Sequence, residues 1–443
     1  MTPTPRPFGA AEGLRYGLLG LPLAFVALPL YVVVPHHYAS NFGMPLALLG
    51  AVLLAARLLD AFVDPLIGRG IDRLFARSTR AVLGLGALAA LVLAGGFALL
   101  FFPPVRGIPA VLAWAAATLA VTYLAFSTLT VAHQSWGARL GGDEAQRARI
   151  VGWREGLGVA GVLIASVAPA TLGMAANAAL FAALLIVGWF AWTRSLAPEP
   201  APSAASTAPV ASANRADATD LWLPLRRPGF RRLLAVFMLN GIASAVPATL
   251  VLFFVQDRLQ APRSWEPAFL GVYFLCAALS IPLWLRVVPR LGLARTWLVG
   301  MGLAIAAFMW TVTLGAGDAL AFLMVCAASG LALGADLVLP GALLAGLVHD
   351  AGDRGRHEGA YFGWWNFATK LNLALAAGFA LPLLGLAGYA PGTRDPQALD
   401  ALTLAYGVLP CVLKLVAAAG LYLTLIRSGT HTTDPLASTG PHP

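Results

Sequence analysis

Twelve stretches of about 20 mostly apolar residues follow one another along this chain, and that is the length an α-helix needs to cross a hydrocarbon core. They begin near Tyr16, Leu46, Ala81, Pro109, Glu155 and Asn177, and again near Arg232, Ala268, Ala294, Ala319, Tyr361 and Leu402. Short turns rich in Gly, Pro or Arg separate them. With 59% hydrophobic residues, 11% charged residues and a mean hydropathy of +0.78, the sequence lies outside what a soluble globular domain of its size shows. The reading is an all-α membrane protein with 12 transmembrane helices, six on either side of a polar interruption.

That interruption, "APEPAPSAASTAPVASANRADATD", is too rich in Ala, Pro, Ser and Thr to bury a core and suits a flexible connection. The expected organisation is an N-terminal six-helix bundle over 1–196, a cytoplasmic linker over 197–228, a C-terminal six-helix bundle over 229–427 and a flexible cytoplasmic tail over 428–443. Arginine fixes the orientation, because Lys and Arg in short loops are retained on the cytoplasmic side. With the amino terminus inside, 22 arginines fall on the cytoplasmic face and four, Arg106, Arg258, Arg263 and Arg394, on the other. Both termini and the linker are therefore expected in the cytoplasm, with the chain a multi-pass protein of the inner (cytoplasmic) membrane. The net charge of +9 then follows from topology and does not call for nucleic acid.

The first residues carry no cleavage-site pattern, so the first span is expected to stay as a helix. Cys276, Cys326 and Cys411 all fall in predicted spans with no CxxC spacing, and read as small buried hydrophobes. His36 and His37 stand just beyond the first span with too few companions for a metal site. There is no GxxxxGK[ST] loop and no Ser-His-Asp or zinc spacing, which argues against an ATP-driven pump and against an enzyme. No cofactor is expected.

One segment breaks the apolar rule. In "RLLDAFVDPLIGRGIDR", Arg57, Asp60 and Asp64 are spaced three and four apart, which places them on one face of a helix. Each ionisable group at mid-bilayer costs roughly 2.5–3.5 kcal/mol on insertion scales. Two carboxylates and one guanidinium leave one formal negative charge over, and a surplus acid inside a membrane protein takes a proton or coordinates a cation. A purely structural cluster, with Arg57 neutralising an aspartate, is the alternative. Pro65 removes an amide donor and is expected to kink or loosen the turn beside the acids. The glycines and alternating charges of "GRGIDR" are expected to end the helix at the cytoplasmic surface.

Gly68, Asp72 and Arg73 resemble the loop signature Gly-x-x-x-Asp-Arg that joins the second and third helices of the major facilitator superfamily. The whole charged segment resembles the second-helix signature, Arg-x-x-Asp-Ala-x-x-Asp-Pro, of the glycoside, pentoside and hexuronide cation symporters, the group that includes the melibiose carrier. Further segments are similar to that family in order: "YGLLGLPLAF" from Tyr16, "GDEAQRARIVGWREG" from Gly142, "FRRLLAVFMLNGIASAVPATLVLFFVQD" from Phe230, "GADLVLPGALLAGLVHD" from Gly334 and "EGAYFGWWNFATKL" from Glu358. The resemblance implies a major facilitator fold, 12 helices in two pseudosymmetric six-helix bundles, with a central cavity and cotransport of a solute with H⁺ or Na⁺.

Carried over residue by residue, the resemblance makes Asp60 and Asp64 cation ligands, with Ser127 and Thr130 at the fourth-helix positions that complete the site. The fourth-helix acid of the melibiose carrier is replaced, the first-helix sugar-binding aspartate falls at Ala24, and the fourth-helix tryptophan that packs against sugar falls at Gln134. Arg154 matches, within one residue, the fifth-helix arginine, and Lys370 matches the eleventh-helix lysine implicated in coupling. Sugar recognition needs carboxylate contacts and an apolar ring platform, so these departures keep the ion site and withhold the name of the sugar. Fewer carboxylates favour the proton over Na⁺.

The remaining spans add candidates. His133 and Gln134, in a run with Ser135 and Trp136, suit a substrate-facing position, although Trp136 at the membrane interface and His133 as a packing residue are equally consistent. Asp336 is expected to pair with Lys370, either as a fixed bridge or as a coupling element that forms and breaks. Lys414 has no assigned partner. Asn240, Asn366 and Thr369 are cavity candidates, or else bridge helices.

The expectation is a monomeric secondary active transporter in the lipid bilayer. It couples a small, sugar-like solute to H⁺ or Na⁺ by alternating access. The alternative is a carrier of a non-sugar amphipathic solute or lipid, or a non-transporting membrane protein of the same fold.

Overall fold

The structure, a computed structural model, describes residues 8–198 and 221–427. The tail from Ser428, and most of the expected linker, lie outside the described residues. Among the described residues the secondary structure is helical, with no strand. The first half contains α1 (Ala10–Leu28), α2 (Leu46–Arg77), α3 (Thr79–Phe101), α4 (Ile108–Arg139), α5 (Glu144–Leu172) and α6 (Met174–Thr193). The second half contains α7 (Pro228–Arg258), α8 (Glu266–Leu291), α9 (Leu293–Trp310), α10 (Ala319–Asp350), α11 (Glu358–Leu386) and α12 (Pro396–Ile426). Eleven are long and apolar enough to cross a membrane; the other, α2, carries the charged stripe and is 32 residues long.

Several helices start before the apolar stretch that reveals them. α5 begins at Glu144 and not near Glu155, because Asp143 is an N-cap whose side chain accepts from the Gln146 amide at 2.7 Å. The segment from Gly142 expected between two helices is therefore mostly helical. α2 likewise does not end at "GRGIDR": it runs on to Arg77, and only Ser78, extended and capping α3 through the Ala81 amide, separates the two helices. Pro65 sits inside α2, and the helix continues through it; having no N–H, it leaves the Ala61 carbonyl one turn back without its intrahelical donor.

The burial pattern of α2 is that of a helix in lipid. Leu58, Leu59, Phe62 and Leu66 are exposed on the outside, whereas Asp60 and Asp64 are 6% and 0% exposed. Apolar groups face outward and ionisable ones inward, as hydrocarbon requires.

By compactness the chain forms two units. The first comprises Met1–Arg227 with Leu344–Leu371, the second Pro228–Leu343 with Asn372–Pro443. The boundary therefore passes through α10 and α11, each of which contributes to both units. In the first unit α1 packs on α5 and α4 packs on α2 and α3. Glycine permits the α1–α5 approach: a methyl at Gly20 would stand 2.5 Å from the Arg154 carbonyl oxygen, and one at Gly161 would stand 2.1 Å from that of Leu21. In the second unit α12 packs on α7 and α9, and Phe254 stacks on Tyr406 with centroids 4.3 Å apart.

Candidate ion-coupling site

The first unit brings α2, α4 and the start of α11 together around the charged stripe. α11 places Gly359, Gly363, Asn366 and Lys370 at helical spacing along one face. At its start the backbones of α11 and α2 nearly touch: a methyl at Gly359 would lie 2.2 Å from the Gly68 carbonyl oxygen, and one at Gly363 2.6 Å from that of Asp64. Two turns further along that face, Lys370 reaches the acids. Its Nζ stands 2.7 Å from Asp60 Oδ2 and 2.7 Å from Asp64 Oδ2. It also donates to Ser127 Oγ at 2.8 Å, and Ser127 donates to Asp60 Oδ1 at 2.6 Å.

The two carboxylates are not equivalent. Asp60 accepts a hydrogen bond from Ser127, whereas Asp64 is fully buried and meets the Lys370 ammonium at 2.7 Å. Thr130, nearly one turn beyond Ser127 on α4, has a buried hydroxyl without a partner. Buried polar groups left in this condition are expensive, about 1–3 kcal/mol each.

The charge balance differs from the one expected. Arg57 stands beside the Tyr123 hydroxyl of α4, and Lys370 supplies a second positive charge to the two aspartates. Arg57, Asp60, Asp64 and Lys370 together are formally neutral. The surplus negative charge read from α2 alone is thus answered from α11.

Lys370 and Asp336, expected to pair, each have another partner. Asp336 Oδ2 lies 2.7 Å from Lys414 Nζ, and its Oδ1 accepts from Trp297 Nε1 at 2.8 Å. Lys414, unassigned from sequence, also donates to Asn240 Oδ1 at 2.7 Å and contacts Ser244 Oγ at 3.3 Å. Asn240 therefore serves an intramolecular lysine. A missed signal was present in the composition: Lys370 and Lys414 are the only lysines in the chain, against 27 arginines, and both lie in spans. Lysine is the compact, deprotonatable cation of the two, and here each one meets aspartate, Lys370 with Asp60 and Asp64 and Lys414 with Asp336.

Several expected cavity residues are packing residues. His133 is fully buried, its Nε2 2.8 Å from the Tyr16 carbonyl oxygen and its own carbonyl accepting from Tyr16 Oη at 3.0 Å. Trp136 is buried and donates to the Leu196 carbonyl. Arg154 donates to Glu155 Oε1 through Nε and Nη2, at 2.9 and 2.7 Å. Ala24 faces Gly158 of α5. Gln134 Oε1 accepts from Asn366 Nδ2 at 2.8 Å, a pair joining α4 to α11, and Thr369 donates back to the Trp365 carbonyl of its own helix.

The Gly-x-x-x-Asp-Arg residues lie at the helical end of α2. Asp72 accepts from the backbone amides of Gly359 and Ala360, both at 2.8 Å, so it caps the start of α11. The arginine it uses is not its neighbour Arg73, which is exposed, but Arg139 at the end of α4, whose Nη2 is 2.9 Å from Asp72 and 2.9 Å from Glu358. Gly68 is the point of closest backbone approach to Gly359. Sequence reading missed Arg139 and Glu358 because each looks like an ordinary helix-terminal charge.

Residues 14–428 match the family described as MFS/sugar transport protein. The chain belongs to that family. It is a major facilitator transporter, and not an enzyme. It is similar to the uncharacterized symporter YjmB of Bacillus subtilis (strain 168), with 24% identity over 417 residues, covering 87% of this chain and 86% of that one. Among solved structures it resembles a bacterial homologue of the iron transporter ferroportin in an outward-facing state, with a TM-score of 0.68 and 16% identity over 92% of this chain and 99% of that one. It also resembles a variant of the Escherichia coli fucose:proton symporter FucP, with a TM-score of 0.65 and 12% identity over 94% and 98% of the two chains. At such identities the likeness to solved structures establishes the major facilitator fold alone. The match to the family and to a symporter goes further; the narrower group of glycoside, pentoside and hexuronide symporters is a finer assignment.

Proposed function

We propose that this chain is a cation-coupled symporter of the glycoside, pentoside and hexuronide type, moving a small sugar-like solute across the cytoplasmic membrane by alternating access. The observation that carries the reading is the Asp60–Asp64–Lys370 cluster, with Lys370 Nζ 2.7 Å from each acid and Asp64 fully buried. Asp60, Asp64, Ser127 and Thr130 are the proposed ion ligands, with Lys370 as the internal cation that the coupling ion competes against. Family membership and the match to a symporter of similar length support it.

The proton is the coupling ion this geometry favours. A proton can add to Asp64 without displacing Lys370, whereas Na⁺ needs the oxygens the ammonium already holds. Protonating Asp64 leaves Lys370 shared with one carboxylate instead of two, which weakens the tie between α2 and α11. Alternating access then follows if that tie, with the Asp72–Arg139–Glu358 cluster below it, must loosen for the cytoplasmic ends to part. The arginine asymmetry supports cytoplasmic termini and linker. The chain functions as a monomer in this scheme, each copy holding its own ion site.

The test is uptake by purified protein in proteoliposomes under an imposed pH or Na⁺ gradient. Wild type should accumulate solute against its gradient, and Asp64→Asn should lose accumulation while still inserting and folding. Undiminished accumulation in both Asp60→Asn and Asp64→Asn would falsify the coupling role.

A further inference from the structure

Four arginines at the end of α2 and the start of α3 carry charge that the first unit does not answer. Arg69, Arg73, Arg77 and Arg80 make no ion pair and no hydrogen bond among the described residues, and the Arg69 Nε is buried without a partner. Arg69, Arg73 and Arg77 follow one another four residues apart along α2, a spacing at which like charges repel. The acid beside them, Asp72, is taken by Arg139 and by the amides of α11.

This stripe continues the outward apolar face of α2. Leu58, Phe62 and Leu66 are exposed at the same spacing, and Arg73 and Arg77 fall within roughly 20° of Leu66 around the helix axis. From Leu46 to Leu66 the helix rises roughly 30 Å, the thickness of a hydrocarbon core. Arg69 and Arg73 lie roughly 5 and 10 Å further on, at the depth of a headgroup. Between them stands Gly70, where an added methyl would meet nothing within 4 Å. No neighbour in the protein demands a glycine there, and its effect is to leave an open bay between two guanidinium groups.

An aromatic file runs beside the same face. Phe62 meets Phe367 of α11 with ring centroids 5.7 Å apart, Phe367 meets Trp364 at 5.5 Å, and Trp364 meets Trp222 at 5.2 Å. Trp222 is exposed and belongs to the segment that Arg227 ties to Asp353, just before α11 begins. The file therefore leads from the apolar middle of α2 to its arginine end, and tryptophan is the side chain that collects at membrane interfaces. α8 supplies a contrast. Its exposed Leu279 and Leu283 also give way to arginines, Arg286 and Arg290, but Val287 stands directly after the first of them, where α2 has Gly70.

We propose that the seam of α2 and α11 binds one anionic phospholipid, its phosphate on Arg69 and Arg73 across the Gly70 bay and an acyl chain along Leu66, Phe62 and Phe367. The guanidinium fork matches phosphate oxygens in pairs, and a basic cluster just beyond a span selects headgroups with net negative charge. A zwitterionic headgroup brings its own ammonium, which competes for the phosphate. The site goes beyond the symport reading and does not depend on it.

The experiment is native mass spectrometry of the full-length protein purified in detergent and titrated with dioleoylphosphatidylglycerol or dioleoylphosphatidylcholine. Wild type should retain one phosphatidylglycerol with roughly tenfold preference over phosphatidylcholine. Arg69→Gln with Arg73→Gln should remove the preference, and Gly70→Leu, which fills the bay and favours helix, should remove it without lowering the unfolding midpoint in lipid-free detergent. Arg286→Gln with Arg290→Gln, on α8, should leave it intact. Equal loss in the α8 pair would overturn the placement, since charge alone would then suffice. Competition on wild type decides the ligand class even where a variant fails to fold. Dioleoylglycerol retained as well as phosphatidylglycerol would show that the phosphate is not read. Displacement of the phospholipid by about 10 mM inorganic phosphate would show a soluble-anion site, and equal retention of the two phospholipids would show no selection; any of the three overturns the proposal.

Discussion

Gly363 of α11 lies where a single methyl group would stand 2.6 Å from the carbonyl oxygen of Asp64. No real Cβ is tolerated at that separation, and the obstacle is backbone, which cannot swing aside. Gly363→Ala must therefore push α11 away from α2 and lift Lys370 off the two acids. The expected outcome is a loss of about 1–3 kcal/mol, by the usual cost of overpacking, together with loss of coupled uptake. Gly302, with nothing within 4 Å of its would-be Cβ, is the control. Gly302→Ala should leave uptake alone and raise stability slightly through helix propensity. Thermal unfolding and uptake of the two variants decide the matter.

Lys370→Met leaves two carboxylates in a buried site with no ammonium between them. Breaking a buried pair by removing one partner costs about 3–5 kcal/mol, because the charge left behind is uncompensated. Adding Asp64→Asn to Lys370→Met removes one of those charges and should recover part of the loss. Unfolding midpoints of the two singles and the double give the coupling energy. A double variant no more stable than Lys370→Met would show that the ammonium does not serve Asp64.

Much of this was legible in the sequence, and the exceptions share a cause. Twelve spans and the face of Arg57, Asp60 and Asp64 follow from hydropathy and helical period. What those patterns omit is the partner of a buried charge, because partners come from other helices. Asp336 and Lys370 looked like a pair since they were the lone charges of adjacent spans, yet each is bonded elsewhere, to Lys414 and to Asp60 and Asp64. His133 looked like a cavity residue because polar groups in spans invite that reading, and Arg154 because it matches an arginine of the symporters the chain resembles. Tyr16 instead meets one ring nitrogen of His133, and Glu155 holds the Arg154 guanidinium. Helix starts at Asp143 and Ser78 were hidden because a cap is a single polar residue outside the apolar window.

Asp336 and Lys414 form the second internal ion pair, and its test is a charge-neutral cycle. Asp336→Asn should leave Lys414 buried with only Asn240 and Ser244, and Lys414→Met should leave Asp336 with only Trp297. Each single variant should lower the unfolding midpoint, and the combination should be less damaging than the sum, with an interaction energy of about 0.5–3 kcal/mol. Additive losses would mean that the pair is not coupled.

Asp72 ties three elements with one carboxylate, accepting from two amides of α11 and from Arg139 of α4. Asp72→Asn keeps the shape but replaces one acceptor oxygen by a donor that faces an amide or a guanidinium. The expected cost is about 1–3 kcal/mol for the disrupted charged hydrogen bonds. If the tie also holds the cytoplasmic ends together during transport, a cysteine placed at Gly355 should become more reactive to a water-soluble maleimide. Unchanged reactivity with lowered stability would confine Asp72 to a capping role.

His357 lies in the turn before α11, outside the spans, and burial lowers its pKa from 6.5, with Arg356, Arg139 and Arg227 adding to the shift and Asp353 opposing it. The folded chain thus holds the imidazole neutral where the unfolded chain would protonate it. Between the folded pKa and 6.5 the unfolded state binds more protons, so stability rises with pH through that window and is complete above it. Read in the other direction, stability should fall as pH drops below about 6.5. His357→Gln cannot titrate, so the difference in unfolding midpoint between wild type and variant should be constant above that pH and shift against wild type below it. A difference independent of pH from about 5 to 8 would show that His357 is as free to protonate in the folded chain as in the unfolded one.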